Sequence, residues 1–242
     1  MSALAIRRAA ALLVLSSLAS AAGVALASPL FSSTFELTYS PTKPASSGGI
    51  ETFMTWSDPG EMGGKPKRLT RIQFHFNPGT KIDTRALKQC KASDTDVRIQ
   101  GVRACPKASR LGFATSRVTT GVTPPDQTQI IFFNAPRQII VMVRVEGRTL
   151  AVYRDDIRGR VVTVNLGLPS GLSLLELRAT IEPHAKGRGK KRRVYFRTPS
   201  ICPPSGAWTT TVIYTYVDGS SEQLADGSPC RPTSRPQPSS PG

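Results

Sequence analysis

The densest chemistry in the chain is Lys186-Gly187-Arg188-Gly189-Lys190-Lys191-Arg192-Arg193, six cations in eight residues with no acid among them. Groups of this type at this spacing hold polyanions by Coulomb attraction, with little sequence selectivity and a steep dependence on salt. Lys186, Arg188, Lys190, Lys191, Arg192 and Arg193 are therefore the candidate anion-binding residues. The competing reading is a solvated loop whose charge discourages edge-to-edge strand pairing. The formal charge of the 242-residue chain is +16, so the octet carries less than half of it and the basicity is spread beyond one patch.

Other groupings carry less. Glu182 and His184 have the parity of one strand face, and a carboxylate–imidazole pair can do general acid–base work. No nucleophile accompanies it: Gly167-Leu168-Pro169-Ser170-Gly171 places its serine one position late for a nucleophile elbow and reads as a turn. Asp155-Asp156 and Asp58…Glu61 lack the ligand number and spacing of a calcium loop. No Cys-x-x-Cys occurs, and His75 and His184 are far apart, which argues against zinc. His75, with Arg71 and Gln73, reads as facing solvent. Trp56, Trp208, Tyr214 and Tyr216 suit either an exposed sugar-binding platform or, more in keeping with the area that aromatics bury, a core stripe. The sequence thus assigns no catalytic residue, no metal ligand and no cofactor.

The leader supplies the setting. Arg7-Arg8, an apolar run from Ala9 to Ala22 and Ala25-Leu26-Ala27 form the layout of a secretory signal peptide over residues 1–27. Ala9 to Ala22 alone is short for a membrane span, but if uncut the run to Ala27 suffices for a single N-terminal anchor, which needs about twenty apolar residues. Its removal leaves about 215 residues of charge +14, with no membrane span. Export implies an oxidising compartment, so Cys90, Cys105, Cys202 and Cys230 read as disulfides. Of three possible pairings, Cys90–Cys105 with Cys202–Cys230 is favoured because each pair brackets a loop-like stretch. Outside the cell the basic surface points to anionic envelope polymers or lipid head groups. Specific nucleic-acid binding is not expected, since stacking aromatics are not interleaved with the cations.

Period-two alternation dominates the elements that must position these groups. It runs through Arg71–Phe76, Ile139–Val145, Val162–Leu166 and Leu175–Ile181, and Thr209–Val217 is built of the best strand formers. Thr34–Tyr39, Glu51–Trp56, Phe113–Thr119, Gln129–Asn134, Ala151–Arg154 and Val194–Thr198 are shorter candidates. With Gly and Pro punctuation this predicts an all-β fold: a single antiparallel β-sandwich or jelly-roll-like domain over residues 28–230. Residues 83–110 break the rhythm and predict a short helical excursion closed by Cys90–Cys105, with Asp83 and Ser93 as N-caps and Pro106 opening a further turn. Residues 231–242, rich in Pro and Ser, predict a disordered tail.

Gly64-Lys65-Pro66, the run Pro78 to Thr84, Cys90-Lys91-Ala92-Ser93, Cys105 to Gly112, Thr198 to Cys202, Trp208, Tyr216, Asp218-Gly219 and Cys230 form a further pattern. Together they resemble a group of uncharacterised secreted proteins of high-GC actinobacteria. The resemblance implies an exported, disulfide-bonded β-domain and carries over no activity. The expectation is a secreted, non-enzymatic β-sandwich interaction domain that binds an anionic envelope component. The alternatives are a carbohydrate-binding module and a secreted hydrolase.

Overall fold

The computed structural model describes residues 31–122 and 124–231, and for Lys190 the backbone alone. The leader over 1–27 and the tail beyond Arg231 lie outside the described residues. The strands are β1 (Ser32–Ser40), β2 (Gly49–Ser57), β3 (Leu69–His75), β4 (Lys81–Ile82), β5 (Arg110–Thr119), β6 (Asp126–Ala135), β7 (Gln138–Val145) and β8 (Arg148–Arg158). There follow β9 (Val161–Asn165), β10 (Ser173–Ile181), β11 (Ala185–Lys186), β12 (Arg193–Val194), β13 (Phe196–Arg197), β14 (Ala207–Tyr216) and β15 (Ser221–Pro229). Eleven of them form one antiparallel sheet in the order β1-β2-β10-β5-β6-β7-β8-β9-β3-β14-β15. The all-β, sandwich-like architecture expected from the alternation is present, and the sheet curls nearly closed on itself.

The edge strands β1 and β15 meet through side chains instead of a ladder. Leu37 N–H donates to Asp226 Oδ2 at 2.7 Å, Tyr39 N–H to Ser228 Oγ at 2.8 Å, and Ser33 Oγ to Glu222 Oε2 at 2.7 Å. Backbone donors that would otherwise template aggregation are thereby satisfied. Gly112 permits a close approach of β5 to β10: a Cβ there would collide with the carbonyl oxygen of Thr180.

Closing eleven strands leaves an interior wider than an eight-stranded barrel, which side chains just fill. One half is packed solid by aromatics. Tyr39 lies 5.4 Å from Trp208 and 5.6 Å from Phe196, and Trp56 lies 5.2 Å from Tyr214, all between ring centroids. Trp56, Trp208, Tyr214 and Tyr216 are all buried, so they form the core stripe and not an exposed sugar platform.

Residues 83–110 pack against the outer face of β6, β7 and β8. Val97 of the helix α1 (Asp94–Gln100), Cys90 and Cys105 join Ile131, Phe133, Ile140, Met142 and Val152 in a second core. This corrects the half-buried reading of Ile139–Val145: β7 is covered on both faces, as its nearly unbroken apolar run requires. Ser93 caps α1 through a full capping box with Asp96, and Cys90–Cys105 closes the excursion. The first predicted helix is absent. Asp83 instead closes a turn, its Oδ1 accepting from Arg85 N–H at 3.0 Å and its carbonyl from Ala86 N–H at 3.0 Å. The local hydrogen bonds of an aspartate compete with helix there. Cys202–Cys230 ties the segment before β14 to the end of β15, and Arg231 N–H is held by the Thr42 carbonyl.

Candidate functional site

The other half of the interior is hollow. A cavity of about 460 Å³ is lined by β2, β10, β5, β6, β7, β8, β9 and the end of β3, mostly with Val, Ile, Leu and Phe. Ile130, Phe132, Val143, Val164, Leu177 and Ala179 all line it and yet stay only partly buried. In a close-packed interior such residues would be sealed, because voids larger than a water molecule are few.

The cavity reaches the surface beside β8. The β8–β9 ladder holds only from Asp156↔Thr163 to Arg158↔Val161, and beyond it the strands part. Segment 166–169 stays with β3, through Leu166 N–H to the Thr70 carbonyl at 2.9 Å and an Arg68 guanidinium to the Leu168 carbonyl at 3.0 Å. Across the gap Tyr153 Oη donates to the Gly167 carbonyl at 3.1 Å. Its ring lies so close that a Cβ on Gly167 would come within 2.8 Å of Tyr153 Cε1. Leu150, 61 % exposed, and the exposed Arg98 of α1 belong to the lining at this mouth. Burial raises the Tyr153 hydroxyl pKa, and the Arg98 charge opposes that shift.

Two of the polar side chains that line the hollow are almost fully buried. Asp155, 3 % exposed, faces inward from β8, and Tyr195, 2 % exposed, enters from the break between β12 and β13. Asp155 Oδ1 and Tyr195 Oη have no hydrogen-bond partner. Burial first, then the neighbouring Asp156, pushes the Asp155 carboxyl well above the usual carboxylate range, against a backbone hydrogen bond from Asn165. Burial, and then the charge of Asp155, raises the Tyr195 hydroxyl as well.

The raised carboxyl has a consequence for stability. An unfolded aspartate loses its proton near pH 3.9, whereas folded Asp155 keeps it to higher pH. The associated stability is complete below that unfolded value and is lost as pH rises through the folded one. Thermal melts are expected to show Asp155→Asn and the parent alike near about pH 4 and the variant the more stable at about pH 8. A parent that gains on the variant as pH rises would contradict this.

The basic octet forms a hairpin at the opposite end from the mouth, with Ala185↔Val194 and Lys186↔Arg193 paired and a 3-10 turn at Gly189–Lys191. Lys186, Arg188, Lys191, Arg192 and Arg193 are exposed, and among the described residues none of them makes an ion pair. The cation cluster and the cavity mouth are thus separate.

The remaining sequence candidates are dispersed. Glu182 is exposed, and His184 Nε2 lies 2.8 Å from the Leu111 carbonyl oxygen, to which it donates in the Nε2–H tautomer. His75 shares the outer face of β3 with Arg71 and Gln73, as its parity predicts, but is half-buried there, with Nε2 sealed and unpartnered. Asp155 and Asp156 belong to opposite faces of β8, as strand alternation requires. Among the described residues no group of three or more His, Cys, Asp or Glu side chains is placed to hold a metal ion. Nor is any helix among them long and apolar enough to cross a membrane. Sequence reasoning missed the cavity; the available signal was the inward parity of Asp155 within an otherwise apolar register.

No protein-family model, curated protein or solved structure matches the chain.

Proposed function

We propose that the protein acts outside the cytoplasm as a binding protein for an apolar, lipid-like small molecule carried inside the barrel. The observation that carries this reading is the aliphatic hollow of about 460 Å³ opening between β8 and segment 166–169. Its size falls within the about 300–1,000 Å³ of ligand pockets, which are apolar with a few placed polar groups. The two disulfides and the leader-like residues 1–27 support an exported protein. Titration of the oxidised protein with phenylnaphthylamine, a neutral dye that fluoresces in apolar surroundings, tests it. Saturable uptake by a single class of site, insensitive to salt, is expected. Absence of uptake would overturn the reading.

A second reading rests on the unpaired cations of the β11–β12 hairpin: contact with anionic head groups or envelope polymers, separate from the cavity. Co-sedimentation with phosphatidylglycerol vesicles should weaken between about 0.1 M and about 1 M salt, as the screening length falls from roughly 10 Å to 3 Å. Neutralising Lys190, Lys191, Arg192 and Arg193 together should abolish it. Retention that ignores both changes would remove the hairpin from consideration.

A further inference from the structure

The polar residues lining the cavity fall into two groups. Most are already served by protein partners. Thr52 Oγ1 donates to the Glu36 carbonyl at 2.8 Å, Ser116 and Thr128 bond each other at 2.6 Å, and Tyr153 is held by Gly167. Asp155 Oδ1 and Tyr195 Oη are the exceptions, and both belong to buried residues of the lining. Buried polar atoms without partners are rare because leaving them unmet costs the full desolvation penalty. Two of them in the lining of one apolar hollow mark the place where a ligand supplies the missing bonds.

We propose that Asp155 and Tyr195 recognise, inside the cavity, an uncharged hydroxyl group on the apolar ligand, which accepts from Tyr195 Oη and exchanges a hydrogen bond with Asp155 Oδ1. The ligand class is therefore an apolar alcohol. The proposal rests on the barrel being an apolar-ligand carrier and adds the chemistry of the ligand's polar group.

The alternatives fit less well. A carboxylate or phosphate would be buried beside an acid, while Arg98, the cation of the described lining, stands exposed at the mouth. An ammonium has three donors and no acceptor, so the Tyr195 proton would remain unserved. A hydroxyl both donates and accepts, and so matches the carboxyl whichever oxygen carries its proton. The raised carboxyl of Asp155 agrees with a neutral partner.

Displacement of phenylnaphthylamine from the oxidised protein by dodecanol, dodecane and dodecylamine tests the proposal. Dodecanol is expected to displace the dye at a concentration at least about tenfold below that of dodecane, since sites built for a hydroxyl reject the analogue lacking it. Tyr195→Phe and Asp155→Leu are each expected to bring the alcohol to within about twofold of the alkane, which both variants still bind. The preference of the unaltered protein can be read without any variant. Equal displacement by alcohol and alkane would overturn the hydroxyl site and leave the carrier reading standing. Strongest displacement by the amine would overturn it too, making Asp155 a counter-ion. No dye binding at all would overturn the carrier reading itself.

Discussion

Replacing Ala179 by tryptophan is expected to close the barrel to its ligand, weakening dye or lipid binding by about 100-fold or more, because the indole occupies the space the ligand needs. Ala179 lies in the middle of β10, opposite Thr52 of β2 and Ala114 of β5, and faces the hollow. In a filled core the larger side chain would cost about 1–3 kcal/mol of strain. Here it enters existing space, and a buried indole removes roughly 150–250 Å² from water, so the melting temperature should hold or rise. The control is Thr180→Trp on the opposite face of the same strand, which should leave binding intact. Undiminished binding by Ala179→Trp, with the fold preserved, would mean that the hollow is not the site.

The largest expected effect on stability comes from the two disulfides. They close separate loops, with sequence separations of 15 and 28 residues, and in the chain-entropy model each contributes roughly 3–4 kcal/mol. Together that approaches the about 5–15 kcal/mol of an ordinary domain. Their roles differ: Cys90–Cys105 holds the cover over β6–β8, and Cys202–Cys230 anchors the end of β15 beside the aromatic half of the core. Calorimetry with and without reductant should show the unfolding midpoint fall by roughly 15–25 °C, given about 2–4 °C per kcal/mol at this size. Alanine at Cys90 and Cys105 alone should account for about half of the fall. A shift of only a few degrees on full reduction would show that packing, not cross-linking, carries the fold.

Much of the architecture was legible in local pattern. Period-two runs marked the long strands because a half-buried strand must alternate, and the capping box at Ser93 marked α1 because its two reciprocal bonds need those side chains at that spacing. The sequential cysteine pairing could be read from the loops that each pair brackets. The basic octet was recognisable as a solvated loop, since no run of like charges can be packed, and the structure adds the short β11–β12 pairing at its base. Other features were not legible for equally specific reasons. Asp83 can cap a helix or close a turn with the same carboxylate, and the choice went to the turn. Both Tyr195 and Phe196 are buried although adjacent, because the chain breaks between β12 and β13. Burial on two faces of β7 could not be separated from ordinary alternation without knowing that residues 83–110 fold back over it.

The sequence by itself determined that this is an antiparallel β-protein, which residues share each strand face, where its cystines close, and where its loose positive charge lies. These follow from interactions a few residues in range or from the alternation of side chains along a strand. Tertiary structure alone decided that the sheet curls into a barrel of eleven strands and that aromatics fill one half while aliphatic side chains leave the other hollow. It also decided that Asp155 and Tyr195 both line that hollow. The physical reason is that a cavity is a difference between the space enclosed and the volume of the side chains pointing into it. Side-chain volumes can be read along the chain, but the enclosed space is set by strand order, which brings β8 beside β9 at one end and lets them part at the other.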